Sequence, residues 1–170
     1  MEIRKSSLAD LSTLMDIFDE ARRTIADLGI NQWQNGYPTA EIIENDIAKG
    51  ESYVAEISGK VTASFVMLLD GEPTDDKIYD GEWKSGNDNQ SYLAIHRVAI
   101  SVSRRGSGAS GKLIAFAEEF GRENLKKSIR IDTHEGNVVM RRMLEKNGFS
   151  YTGVIYLDSG EKRVAYEKLI

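Results

Sequence analysis

Between Arg104 and Ile114 the chain reads Arg-Arg-Gly-Ser-Gly-Ala-Ser-Gly-Lys-Leu-Ile, its densest run of glycine. Glycines let a backbone approach a bulky anion and take φ values that side chains resist. Where such a loop opens a helix, the first N–H groups lack intrahelical acceptors, and the helix dipole adds partial positive charge. Arg104, Arg105 and Lys112 add formal charge. The chemistry on offer is the holding of phosphate. Gly106 to Lys112 matches all but the last residue of G-x-x-x-x-G-K-[ST], the loop that cradles a nucleoside triphosphate. That motif then needs Ser or Thr to ligate Mg²⁺, and the chain supplies Leu113. The loop also follows four expected strands rather than opening a parallel sheet. The acid-ended strand Ile129-Arg130-Ile131-Asp132, which a triphosphate site would use, is interrupted by Arg130.

The elements that must position this loop follow from periodicity. Ile3 to Lys5 read as a first strand. Ser7-Leu8-Ala9-Asp10 then resembles a helix cap with an acid three residues on. Leu8, Leu11, Leu14, Met15, Phe18, Ile25 and Leu28 recur at mostly helical spacing, and Gly29 ends the run. A second helix is expected to start near Pro38-Thr39, with proline at or near its first turn, and to stop at Gly50. Ser52 to Ile57 and Val61 to Leu69 read as a hairpin about Ser58-Gly59-Lys60. Residues 70–90 are polar and turn-rich and read as a loop. Tyr92 to Ser101 is a strand leading into the glycine loop, and Leu113, Ile114, Ala117 and Phe120 mark the helix after it. Ser128 to Thr133 is a strand, and Asn137 to Asn147 a helix closed by Gly148. Phe149 to Leu157 and Lys162 to Leu169 make a last hairpin. The order β-α-α-β-β-β-α-β-α-β-β describes an α/β protein with one mixed sheet.

Composition narrows the function. The chain has 170 residues, a net charge of −5, no cysteine and two histidines. One domain over residues 1–170 is expected. The negative charge argues against a general nucleic-acid binder. Thiol nucleophiles and cysteine metal sites are excluded, and a histidine-rich metal site is not expected. No apolar run approaches membrane-spanning length and the N-terminus is not a signal peptide, so a cytoplasmic protein with no membrane partner is expected.

Two blocks together carry a resemblance. Arg105-Gly106-Ser107-Gly108-Ala109-Ser110 follows [Q/R]-x-x-G-x-[G/A] except at Ser110. Asn137-Val138-Val139-Met140-Arg141-Arg142-Met143-Leu144-Glu145-Lys146-Asn147-Gly148-Phe149 follows a second block that opens on Asn and closes on Gly-Phe. In order and spacing the chain resembles the GCN5-related N-acetyltransferase (GNAT) family over essentially its whole length. The resemblance implies the GNAT fold: a single mixed, mostly antiparallel sheet, splayed at its central parallel strand pair, with helices on both faces. It implies transfer of acetyl from acetyl-CoA, as co-substrate and without a metal, to a primary amine of a small molecule. The amine attacks directly in a ternary complex, with no covalent enzyme intermediate. The backbone of Gly106, Ser107, Gly108, Ala109, Ser110 and Gly111, rimmed by Arg105, would hold the diphosphate. The main chain of Val98, Ala99 and Ile100 would hold the pantetheine arm, and an N–H near Val98 would face the oxyanion. Asn137 would contact the cofactor. Dimers are common in the family, although no residue here identifies one.

The acceptor amine must lose a proton, and His96 resembles the base of the arylalkylamine branch of the family. In a regular strand Ala94, His96, Val98 and Ile100 share one face. A buried structural histidine is the competing reading, and His134 reads as a loop residue. The tyrosine that many members use as general acid is replaced by Leu144, which keeps open a catalytically weak acyl-CoA-binding sensor. Trp33 and Tyr37, between the first two helices, could surround an amine or cap the core. The acidic residues of 70–90 could attract a cationic amine, although such a run more often forms a solvated loop.

Overall fold

Strands and helices fall where the apolar spacing places them. The structure, a computed structural model, describes residues 1–104 and 106–170; Arg105, read above as the charged rim of the loop, lies outside the described residues. Along the chain run β1 (Glu2–Lys5), α1 (Leu11–Asp27), α2 (Ala40–Ala48), β2 (Ser52–Ile57), β3 (Lys60–Leu68) and β4 (Tyr92–Ile100). They are followed by α3 (Ala109–Glu123), β5 (Ser128–Thr133), α4 (Val138–Lys146), β6 (Ser150–Tyr156) and β7 (Lys162–Leu169). Among the described residues the strands form one mixed seven-stranded sheet in the order β1-β2-β3-β4-β5-β7-β6. β4 and β5 are parallel, as a helical crossover demands. Their register runs from Tyr92↔Ser128 to Ala94↔Arg130. The pairs β1–β2, β2–β3, β5–β7 and β6–β7 are antiparallel. The chain divides into two compact units, Met1–Met67 with Arg97–Leu113, and Leu68–His96 with Ile114–Ile170.

In the first unit the expected cap is present. Asp10 accepts from the Ser7 N–H at 2.7 Å and the Ser7 hydroxyl at 3.0 Å, and Arg4 forks onto both its oxygens at 2.8 Å. Leu14, Ile17 and Phe18 of α1 recur on one face and meet Ile43, Val54 and Ala99 in a common core. Gly29, at φ 72°, follows the end of α1. Pro38 lies near the first turn of α2, as expected, but not inside it. Thr39 caps that helix instead, accepting from the Ile42 N–H, and Pro38 precedes the cap. Lys60 belongs to β3, so the β2–β3 turn is the pair Ser58-Gly59, both at positive φ, which matches the twist of a two-residue hairpin.

In the second unit the segment 70–90 departs from a solvated loop. Asp75 is only 5% exposed and Trp83 is equally buried, its indole N–H donating to the Asp75 carbonyl at 2.9 Å. Trp83 packs with Ile155 and Ala165. The segment is clasped to β6: the N–H and C=O of Tyr79 exchange bonds of 2.8 Å with Val154, and Glu82 N–H reaches Thr152 C=O at 3.0 Å. A Cβ on Gly81 would lie 1.9 Å from the Thr152 oxygen, and one on Gly153 2.6 Å from that of Tyr79. Only glycine permits that approach. Trp83 and Tyr92 also enclose Arg130, whose guanidinium carbon sits 4.1 and 3.7 Å from their ring centres. Arg130 pairs with Glu167 at 3.4 Å.

Candidate active site

The glycine loop lies in the first unit. β4 ends at Ile100, a short 3-10 turn covers Val102–Arg104, and α3 begins at Ala109. Gly106 and Gly108 have φ of 75° and 78°, and a Cβ on either would meet nothing within 4 Å. Conformation rather than crowding therefore requires these glycines, and the cradle stands open. Ser110, the departure from the sequence pattern, is half-buried in the first turn of α3. A helix that opens on glycines at positive φ leaves its first N–H groups without intrahelical acceptors, which is the arrangement a diphosphate would need. Leu113 is buried in the core and is no metal ligand.

β4 does not run as a regular strand. Arg97 has φ 51°, so the expected alternation of Ala94, His96, Val98 and Ile100 on one face is broken there. A non-glycine residue in this region stores about 1–3 kcal/mol of strain. Arg97 forks onto Asp46 of α2, with Nε 2.8 Å from Oδ2 and Nη2 donating to Oδ1 at 2.8 Å, and Nη1 donates to the Tyr37 hydroxyl at 2.5 Å. Tyr37 and Trp33 are both half-buried, with ring centres 6.1 Å apart, and Trp33 meets Phe18 edge-on at 5.9 Å. Trp33 thus lies against the core and Tyr37 against Arg97. Sequence reasoning passed over Arg97 and Asp46, because nothing in a strand pattern marks a non-glycine residue for a left-handed turn.

His96 closes the second unit's part of β4. Its Nε2 lies 3.1 Å from Glu72 Oε2, and both side chains are about one-fifth exposed. Glu72-Pro73-Thr74-Asp75 is a capped 3-10 turn, with Glu72 accepting from Thr74 N–H and Asp75 three residues on. Glu72 is the extended cap of this turn and Asp75 its last residue. Burial pushes the Glu72 carboxyl up, but the bond and charge of His96 and the donors of Thr74 outweigh it and hold it at about 2. Asp75 moves the other way, to about 7, through burial first and then the nearby charge of Asp132. Burial also raises Asp132, against the opposing charges of His96 and Arg163. Glu72, Asp75 and Asp132 were absent from the expected site. The sequence signal for the first two was the helix-start pattern of acid, proline and acid. Among the described residues no group of three His, Cys, Asp or Glu side chains is placed to hold a metal ion.

The raised Asp75 carboxyl makes stability depend on pH. Its native form keeps its proton up to about 7, against 3.8 as the ordinary value. Native protein therefore binds more protons than the unfolded chain between those values, and stability falls as pH rises through the window. Asp75→Asn is expected to gain stability over the parent in urea melts at pH 8 and much less at pH 4. An identical difference at both pH values would reject this.

Asn137 is buried and caps α4, its side-chain oxygen accepting from Met140 N–H at 3.1 Å. His134 Nδ1 accepts from Gly136 N–H at 2.9 Å, a local loop contact. Leu144 is fully buried. With the strand, loop and helix in this order, the acetyltransferase (GNAT) family model matches residues 12–149. The chain belongs to the GNAT acetyltransferase family. As a GNAT protein it falls in the acyltransferase class. It is similar to a GNAT-family acetyltransferase from Streptococcus agalactiae 2603, at 34% identity over 99% of this chain and 95% of that one, with a TM-score of 0.87. A GNAT-family acetyltransferase from Listeria monocytogenes 4b F2365 shares 24% identity over 99% of this chain and 94% of that one, with a TM-score of 0.72. Aminoglycoside acetyltransferase AAC(6')-Ib, solved with coenzyme A and kanamycin, shares 20% identity over 98% and 93%, with a TM-score of 0.69. At those last two identities the likeness is one of fold. No curated protein matches the GNAT chain by sequence. Among the described residues no helix is long and apolar enough to cross a membrane.

Proposed function

We propose that this chain is a cytoplasmic acetyl-CoA-dependent N-acetyltransferase, acting as one domain over residues 1–170 on a primary amine of a small molecule. Acetyl-CoA supplies the acetyl thioester. The backbone of residues 106–111 would hold its diphosphate, with Arg105 as a charged rim and Asn137 as a further contact. The main chain of Val98, Ala99 and Ile100 would align its arm. Trp33 and Tyr37 would wall the acceptor. His96 would take the ammonium proton, and the Glu72 carboxylate would stabilise the imidazolium that results.

The observation that carries this reading is the His96–Glu72 pair, 3.1 Å apart, on the strand that leads into the glycine loop. A carboxylate paired with a histidine is an arrangement suited to moving a proton. The test is release of free thiol from acetyl-CoA against a panel of polyamines, amino sugars and amino acids. Amine-dependent release is expected. Binding of acetyl-CoA without release would favour the second reading, a sensor of acyl-CoA, for which the burial of Leu144 in place of a tyrosine speaks.

A further inference from the structure

A left-handed non-glycine residue inside a strand is strained and needs a constraint to hold it there. Unconstrained, Arg97 would relax to the extended form that its neighbours take. Its side chain supplies the constraint. The guanidinium is clamped by both oxygens of Asp46, which is 3% exposed, and by the Tyr37 hydroxyl. Tyr37 is itself anchored, since its carbonyl and that of Pro38 each accept from Arg22 Nη1 at 3.2 Å. The clamp therefore ties β4 to two fixed points on the helical layer of its own unit. Removing Asp46 would leave a guanidinium buried without its counter-charge.

We propose that Asp46, Arg97 and Tyr37 form a positioning device. The ion pair holds the backbone at Arg97 in its left-handed turn, which turns the Arg97–Val98 amide away from the regular strand direction, and its N–H would then be offered to the acyl carbonyl. The same clamp fixes the ring of Tyr37. None of the three need touch a reacting atom. This inference rests on the proposed acetyl transfer for its functional half, and on geometry alone for its structural half.

Glycine separates this device from ordinary packing. At a regular strand position glycine is worse than alanine; at a left-handed position it is better, because it takes that φ without strain. Arg97→Ala and Asp46→Asn are expected to lower kcat about tenfold or more through misplacement of the amide, with KM for acetyl-CoA within about twofold. Arg97→Gly is expected to recover part of the kcat lost in Arg97→Ala and to melt above it. Should Arg97→Ala fail to fold, adding Arg97→Gly to Asp46→Asn is expected to recover part of the lost kcat. Arg97→Gly no better than Arg97→Ala in both kcat and melting, or no recovery in the double variant, would overturn the device. If the parent chain releases no thiol with any amine, the functional reading fails, and the melting order of the two Arg97 variants alone decides the structural half.

Discussion

His96→Ala is expected to lower kcat/KM by about 100-fold or more at pH 7, the scale of a lost general base. An alkylamine with a pKa near 10 presents roughly one free molecule in a thousand at that pH. A base that collects the proton as attack begins lifts this limit. Without it, the rate must climb with the free amine, so the deficit should shrink steadily as pH approaches about 10. Affinity for acetyl-CoA should change little, because the loop that would hold it is built from backbone. Glu72→Gln is the companion test. The Glu72 carboxyl is held at about 2 and stays ionised at every working pH. Taking its charge away disfavours imidazolium, so the acid limb of the pH–rate profile should move to lower pH. Profiles unchanged in both variants would remove the pair from the mechanism.

The largest stability effect is expected at Arg130. It is 2% exposed and its partner Glu167 1%. Glu167 also accepts from Lys84 N–H, from the Ser85 hydroxyl and from the Ser128 hydroxyl at 2.7 Å. Arg130→Met removes the cation and leaves that carboxylate buried, at a cost of about 3–5 kcal/mol. For a chain of this size the melting temperature should fall by roughly 10 °C. Adding Glu167→Gln should recover part of the loss, since the uncompensated charge is then gone. A double variant no more stable than Arg130→Met would show that the stacking of Arg130 on Trp83 and Tyr92, rather than its charge, sets the cost.

What the sequence made legible was whatever rests on local repetition. The helical spacing of Leu14 and Phe18, the cap at Ser7 and Asp10, and the glycines that follow α1, α2 and α4 place the elements within a residue or two. The GNAT blocks at 105–110 and 137–149 were legible for the same reason. What could not be read depends on partners far along the chain. Arg130 looks like a flaw in an apolar strand until Trp83, Tyr92 and Glu167 surround it. Glu72 and Asp75 look like two more acids in a polar stretch until Trp83 seals the turn that carries them. Arg97 gives no sign at all, because its left-handed turn is set by Asp46, 51 residues earlier.

The clasp of Gly81 and Gly153 also bears on how this protein can vary. Surface segments of some twenty residues ordinarily absorb insertions at small cost. This one is a measured length of thread. It is pinned at Tyr79 and Glu82 to β6, at Trp83 to Asp75, and at Lys84 and Ser85 to Glu167. One extra residue between 72 and 85 would pull the acids away from His96 or break the clasp. Variation of this segment is therefore expected by exchange of side chains, at constant length.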